Sequence, residues 1–128
     1  MSVSINHTIL FAQDKAVSAA FLAQLLDRPD PTPWGPFVIV DLGDGAHVEF
    51  ATADFPIQAQ HYAFLVTEDE FDSVYSRIRD LGINHWADPQ GRRPGEFNTN
   101  HGGRGVYFLD PSGHGLEVLT APYGADLR

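Results

Sequence analysis

Four side chains of metal-binding type lie in four separate strand-like segments: His7, Glu49, His61 and Glu117. Two neutral imidazoles and one carboxylate form a facial donor set suited to Fe(II), Mn(II) and related ions, with coordination positions left open. A second carboxylate lowers the net charge of such a site and leaves less open coordination. That suits Ni, Zn, Mn or Co acting as a Lewis acid. Glu117 sits between Leu116 and Val118. A lone carboxylate buried there is costly, and a divalent cation would relieve the cost. Spacing alone does not bring the four residues together, because no pair forms a short metal motif. A single strand histidine is most often satisfied in a core or on a surface without any metal.

The elements that must position these residues read as a repeated pattern. Val3 to Phe11 is rich in β-branched and apolar residues and reads as a strand carrying Ile5, His7, Ile9 and Phe11 on one face. Asp14 is a good N-cap, and Ala16, Val17, Ala20, Phe21, Leu25 and Leu26 follow at helical spacing. Arg28 to Pro36 holds four prolines and a glycine and reads as a loop. Phe37–Leu42 and Ala46–Ala51 flank Gly43-Asp44-Gly45, a hairpin signal. In the second of these strands His47 and Glu49 share one face, and Val48 and Phe50 the other.

The pattern then recurs. His61–Thr67 reads as a strand and Glu68–Leu81 as a helix capped by Thr67, with Phe71, Val74, Tyr75 and Ile78 inward and Gly82 as its stop. Ile83–Ala87, Gly105–Leu109 and Leu116–Thr120 read as strands, with an Asp110-Pro111-Ser112-Gly113 turn between the last two. The expectation is an α+β chain forming a single domain over 1–128, with one module at about 1–54 and the other at about 60–122. Two such halves could pair their sheets around a shared cleft, a common place for a small-molecule site.

Composition narrows the function further. The 128 residues include 43% hydrophobic and 20% charged types, enough for a packed core. The formal charge is −9 with only eight Lys and Arg, which argues against nucleic-acid binding. Cysteine is absent, so thiolate catalysis and Cys-based zinc sites are excluded. No apolar run reaches the length of a membrane span, and the N-terminus has no signal-peptide pattern, so a cytoplasmic location is expected.

Other side chains could serve a site. His47, two residues from Glu49, reads either as an edge-strand histidine or as an outer partner or proton shuttle. Tyr107 reads as a core tyrosine or as a hydrogen-bond donor to a substrate oxygen. The loop Gly91–Arg104 is long for a compact domain. It is either a solvated loop or a lid whose Arg93, His101 or Arg104 contacts an anionic or polar substrate. Trp86 packs or lines an aromatic pocket. His114 falls in a turn and is expected to be exposed.

Three passages also carry a family resemblance. Ile5-Asn6-His7-Thr8-Ile9 and Gln60-His61-Tyr62-Ala63-Phe64 resemble the openings of the two modules of the vicinal oxygen chelate superfamily. Val106-Tyr107-Phe108-Leu109-Asp110-Pro111-Ser112-Gly113-His114-Gly115-Leu116-Glu117-Val118 resembles that family's closing hairpin. The superfamily groups glyoxalase I, extradiol dioxygenases, fosfomycin-resistance enzymes and bleomycin-binding proteins. The resemblance implies paired βαβββ modules whose curved mixed sheets surround one divalent metal ion per site (Fe, Mn, Ni, Zn or Co). His7, His61 and Glu117 fall on the ligand positions, and Glu49 on a fourth used by glyoxalase I-like members. It further implies a homodimer that chelates a small-molecule substrate through vicinal oxygens. The first helix lacks the arginine that holds glutathione in glyoxalase I-like enzymes, which tilts the expectation toward dioxygenase-like chemistry. A glyoxalase-like lyase or isomerase, or a drug-binding resistance protein without turnover, are the rivals.

Overall fold

The computed structural model describes residues 1–123 and divides the chain into two compact units. The first comprises residues 1–58 together with 110–112, and the second begins at residue 59. Each is a βαβββ module holding one helix and one four-stranded mixed sheet.

In the first unit, β1 (His7–Ala12) leads into α1 (Lys15–Leu25), followed by β2 (Thr32–Trp34), β3 (Phe37–Gly43) and β4 (Ala46–Thr52). The sheet order is β1-β4-β3-β2, with β1 parallel to β4 and the other pairs antiparallel. The β3–β4 hairpin turns on Asp44 and Gly45, which both take positive φ (52° and 81°). That is the primed turn whose twist matches the flanking strands. Leu10, Ala12, Val38, Val40, Val48 and Phe50 are buried, and α1 packs on β3 and β4.

Two expectations for this unit are corrected. The first strand starts at His7 rather than Val3. His7 pairs with His47 and β4 begins at Ala46, so residues 3–5 have no strand to join; Val3 is fully exposed. The proline-rich stretch is not only loop, because Thr32–Trp34 pairs antiparallel with β3. It forms the sheet edge, where a proline is tolerated because one side of the strand needs no N–H donor. The buried face of α1 is Ser18, Ala19, Leu22, Ala23 and Leu25, while Ala16, Val17 and Ala20 are exposed. The helix is apolar nearly all round, so periodicity does not select a face. Asp14 caps it as expected, accepting from the N–H groups of Ala16 (2.9 Å) and Val17 (3.3 Å).

The second unit repeats the order: β5 (His61–Leu65), α2 (Glu68–Asp80), β6 (His85–Trp86), β7 (Gly105–Leu109) and β8 (Gly115–Leu119). Its sheet order is β5-β8-β7-β6, again with one parallel pair, β5–β8. The strand expected over 83–87 shortens to His85–Trp86. Phe71, Val74 and Ile78 of α2 are buried, as are Val106, Phe108, Leu116 and Val118. Among the described residues no helix is long and apolar enough to cross a membrane.

α2 begins with a full capping box. Thr67 Oγ1 accepts from Glu70 N–H at 3.2 Å, and Glu70 Oε2 accepts from Thr67 N–H at 3.4 Å. A Thr67→Ala change leaves the Glu70 N–H without its side-chain acceptor and is expected to cost about 1 kcal/mol in equilibrium urea unfolding. An unchanged midpoint would show that the box contributes nothing.

Candidate metal centre

In the first unit, register brings three donors together. His7 and His47 are partners across the parallel β1–β4 pair, and Glu49 lies two residues farther along β4 on the same face. The imidazole rings stack at 5.1 Å with 7° between their planes. Glu49 Oε2 is 2.7 Å from His47 Nε2 and 4.0 Å from His7 Nε2. One ligand atom from each residue lies within 4.8 Å of the others, a group that could hold a metal ion. Glu49 is only 5% exposed although its strand neighbours Val48 and Phe50 point to the opposite face. β4 lies inside the sheet, so the edge-strand reading of His47 is corrected.

The tautomer of His7 is set by its neighbour. Asn6 Nδ2 donates to the Gly45 carbonyl at 3.0 Å, which turns Asn6 Oδ1 toward His7 Nδ1 at 2.6 Å. An amide oxygen only accepts, so His7 Nδ1 carries the proton. Its Nε2 faces the Glu49 carboxylate, 4.0 Å from Oε2.

The second unit repeats this logic. His61 and Glu117 lie on one face of the parallel β5–β8 pair, where His61 partners Gly115 and Glu117 partners Ala63. His61 Nδ1 is 3.0 Å from the Gly115 carbonyl oxygen and therefore donates to it. The remaining nitrogen, Nε2, faces Glu117 Oε1 at 3.2 Å. Glu117 is 2% exposed. Tyr123 donates its hydroxyl proton to Glu117 Oε1 at 3.2 Å, and Tyr107, its cross-strand partner, also hydrogen-bonds to it. Burial, then the Glu117 charge, pushes both phenols above the usual tyrosine range, the Tyr107 shift being large. Both therefore act as donors to Glu117. The donor chemistry of the two sets suits a divalent transition ion: each has an imidazole whose other nitrogen is tied to an acceptor, and a buried carboxylate.

The remaining candidates lie elsewhere. Arg104 bonds Glu68 and Asp72, each at 2.8 Å, and lies 4.5 Å over the Phe71 ring. Its guanidinium thus ties the end of the long loop to α2, and the bonds to Glu68 and then Asp72 raise its pKa. Arg93 is exposed and reaches Glu96 at 3.3 Å. Asp88 anchors the same loop by accepting from the backbone N–H groups of Arg92 and Arg93, the Arg92 bond being the main cause of its lowered pKa. His101 adopts positive φ (57°) and stacks on Tyr123 at 4.8 Å. Trp86 is half-buried and lines an open groove of about 340 Å³ with Ile83, His85 and Pro94; neither His61 nor Glu117 lines it.

His114 corrects its expectation, being 2% exposed with Nδ1 accepting from Gln60 N–H at 3.0 Å. Its ring also packs edge-on against Tyr62. Turn residues are usually solvated, but this one closes the entry to β5. Two functional candidates had escaped the sequence reading. Asn6 had a usable signal, being a polar side chain adjacent to a candidate ligand. Tyr123 had none, since only the path of the chain after β8 brings it to Glu117.

Comparison with known proteins agrees with this architecture. The sequence profile of the Glyoxalase/Bleomycin resistance protein/Dioxygenase superfamily matches residues 4–118. The solved structure of "Oxidase ChaP-H1" is 52% identical, with a TM-score of 0.92 over 97% of this chain and 100% of that one. "Oxidase ChaP-H2" is also 52% identical, with a TM-score of 0.90 over 97% and 98% of the two chains. The "Glutathione transferase FosA" of Serratia marcescens is 29% identical over 133 residues, spanning 99% of this chain and 87% of that protein.

Proposed function

The chain belongs to the Glyoxalase/Bleomycin resistance protein/Dioxygenase superfamily, and from that premise we propose that it is a divalent-metal-dependent enzyme acting on a small molecule, with oxidase- or dioxygenase-type chemistry. The observation that carries the proposal is the orientation of His7 and His61. Each ring has its Nδ1 proton committed to an oxygen and its Nε2 turned toward a buried carboxylate. The 52% identity to two oxidases supports the oxidative branch.

In this reading His7, His61 and Glu117 are the ligands of one ion per site. A bound Fe or Mn ion would supply Lewis-acid polarisation of vicinal substrate oxygens and a redox partner for O₂. The chain's own residues orient the site. Asn6 and the Gly115 carbonyl hold the imidazoles in the ligating tautomer. The Tyr107 and Tyr123 hydroxyls hold Glu117, and each can turn its proton toward a substrate oxygen. His47 steadies Glu49 and is placed to accept a proton near it. Arg93, His101, Arg104 and Trp86 are proposed as substrate contacts. The protein is proposed to work as a homodimer in the cytoplasm.

A second reading has a specific observation behind it. Glu49 is buried and 4.0 Å from His7 Nε2, as a fourth ligand would be. That favours Ni, Zn or Co and a lyase or isomerase reaction without redox change.

The test is the metal content of untagged, anaerobically purified protein by mass spectrometry. One Fe or Mn per chain is expected. Ni, Zn or Co in that amount would replace the oxidative reading with the second one. No bound metal, and none taken up on reconstitution, would overturn both and leave a binding protein without turnover.

A further inference from the structure

We infer that His85, Tyr75 and the Gly95 carbonyl form a pH-responsive latch on the long loop of the second unit. Protonation of His85 turns the Tyr75 hydroxyl proton from the histidine to Gly95 and ties the loop to α2. The inference depends on neither a bound metal nor turnover, so it stands or falls apart from the proposed function. The ring partners of His85 are Ile83 and Tyr75, neither of them a proposed metal ligand.

The balance of donors and acceptors carries it. His85 Nδ1 lies 2.9 Å from the Ile83 carbonyl oxygen and therefore donates to it. His85 Nε2 lies 3.0 Å from the Tyr75 hydroxyl, and the same hydroxyl reaches the Gly95 carbonyl at 3.4 Å. In a neutral ring with its proton on Nδ1, Nε2 only accepts. Nε2 and the Gly95 carbonyl then compete for one hydroxyl proton, and the exposed Gly95 is left to water. In the imidazolium, Nε2 donates to the Tyr75 oxygen, and the hydroxyl proton is released to Gly95. Each donor then has its own acceptor: Nδ1–H has Ile83, Nε2–H has Tyr75 and the hydroxyl has Gly95. A chain that starts from a charged donor is also stronger in each link. By linkage, the latched loop binds the His85 proton more tightly than a released loop does. The tie is therefore gained as pH falls through the His85 titration and lost as pH rises through it.

The surroundings let the latch act. The Gly95 N–H donates to the His85 carbonyl at 2.9 Å, so the hydroxyl adds a second tie at the same loop residue. Tyr75 bridges the elements, meeting His85 edge-on at 5.2 Å and Phe97 of the loop edge-on at 5.1 Å. His85 is half-buried and lines the open groove with Pro94 and Gly95, so protons reach the ring from solvent. Among the charged groups nearby, Arg79 of α2 lines that groove, and Asp72 and Asp80 flank Tyr75 and Arg79 on the outer surface of the helix. From β7 the cross-strand partner is the uncharged Phe108. On the loop, Arg93 and Glu96 flank Gly95 and pair with each other at 3.3 Å. The competing account is that His85 accepts from Tyr75 at every pH and does nothing else.

The test follows the full chain by NMR from about pH 8 to about pH 5, the range in which histidine titrates. The His85 ring is read from its carbon-bound protons and the Gly95 carbonyl from its carbon-13 shift. The tie itself is read from the protection of the Gly95 amide, corrected for the intrinsic pH dependence of exchange. The inference expects the carbonyl signal to move downfield on acidification with the same midpoint as His85. Gly95 protection is expected to rise roughly 3- to 10-fold, the worth of one net hydrogen bond. Tyr75→Phe keeps the ring packing and is expected to abolish both responses while His85 still titrates. His85→Gln, which has no titrating proton, is expected to abolish them too. A Gly95 carbonyl and amide that stay constant while His85 titrates would overturn the inference. So would a His85 ring that does not titrate across this range, or a response that survives Tyr75→Phe. If His85→Gln fails to fold, Tyr75→Phe decides alone.

Discussion

A His7→Ala variant is expected to bind Co(II) or Fe(II) on the order of 100-fold more weakly than the wild type, or not at all, and to have no turnover. The size of the effect follows from where His7 sits. It belongs to the proposed catalytic set and stands in the three-residue group of the first unit. Its Nε2 faces Glu49 at 4.0 Å and its Nδ1 is held by Asn6 at 2.6 Å. Alanine removes the donor and leaves Glu49 with His47 as its neighbour. The fold should survive, because His7 is exposed at the start of β1 and contributes no packing to the core around Leu10 and Ala12. Metal titration and circular dichroism on the same sample separate the two effects. Wild-type affinity in His7→Ala would remove this residue from the ligand set and sink the metal-centre assignment for the first unit.

A Phe71→Ala change is expected to destabilise the second unit by about 3–5 kcal/mol. Phe71 is fully buried in α2. Its ring stacks with Tyr75 at 6.0 Å, meets Phe97 edge-on at 5.7 Å and carries the Arg104 guanidinium 4.5 Å over its face. Alanine opens a cavity and also removes the platform on which Arg104 anchors the end of the long loop. The loop should therefore loosen together with the helix, and limited proteolysis should cut it earlier. The chain has two tryptophans, Trp34 and Trp86. In a Trp34→Phe background, Trp86 fluorescence during urea unfolding reports the second unit alone. A loss below about 1 kcal/mol, the size of an ordinary point change, would show that this aromatic cluster does not support the unit.

The sequence alone determined the order of the longer elements and the strand faces that carry the candidate ligands. Strands betray themselves by alternation, so the faces carrying His7, His47, Glu49, His61 and Glu117 could be read directly, and Asp14, Thr67 and the Asp44-Gly45 turn marked element ends through local chemistry. These are properties of a few neighbouring residues, and a few neighbouring residues suffice to specify them. Where the local signal was weak or mixed, the reading failed. Pro33 hid an edge strand, and His114 looked like a solvated turn residue. Only tertiary structure decided the rest: the register that stacks His7 on His47, the Asn6 and Gly115 oxygens that set the two imidazole tautomers, and the path that brings Tyr123 to Glu117. Register and tautomer arise from contacts between residues tens of positions apart, such as Asn6 with Gly45 and His61 with Gly115. Such contacts exist only once the sheets have closed, so no window of sequence contains them.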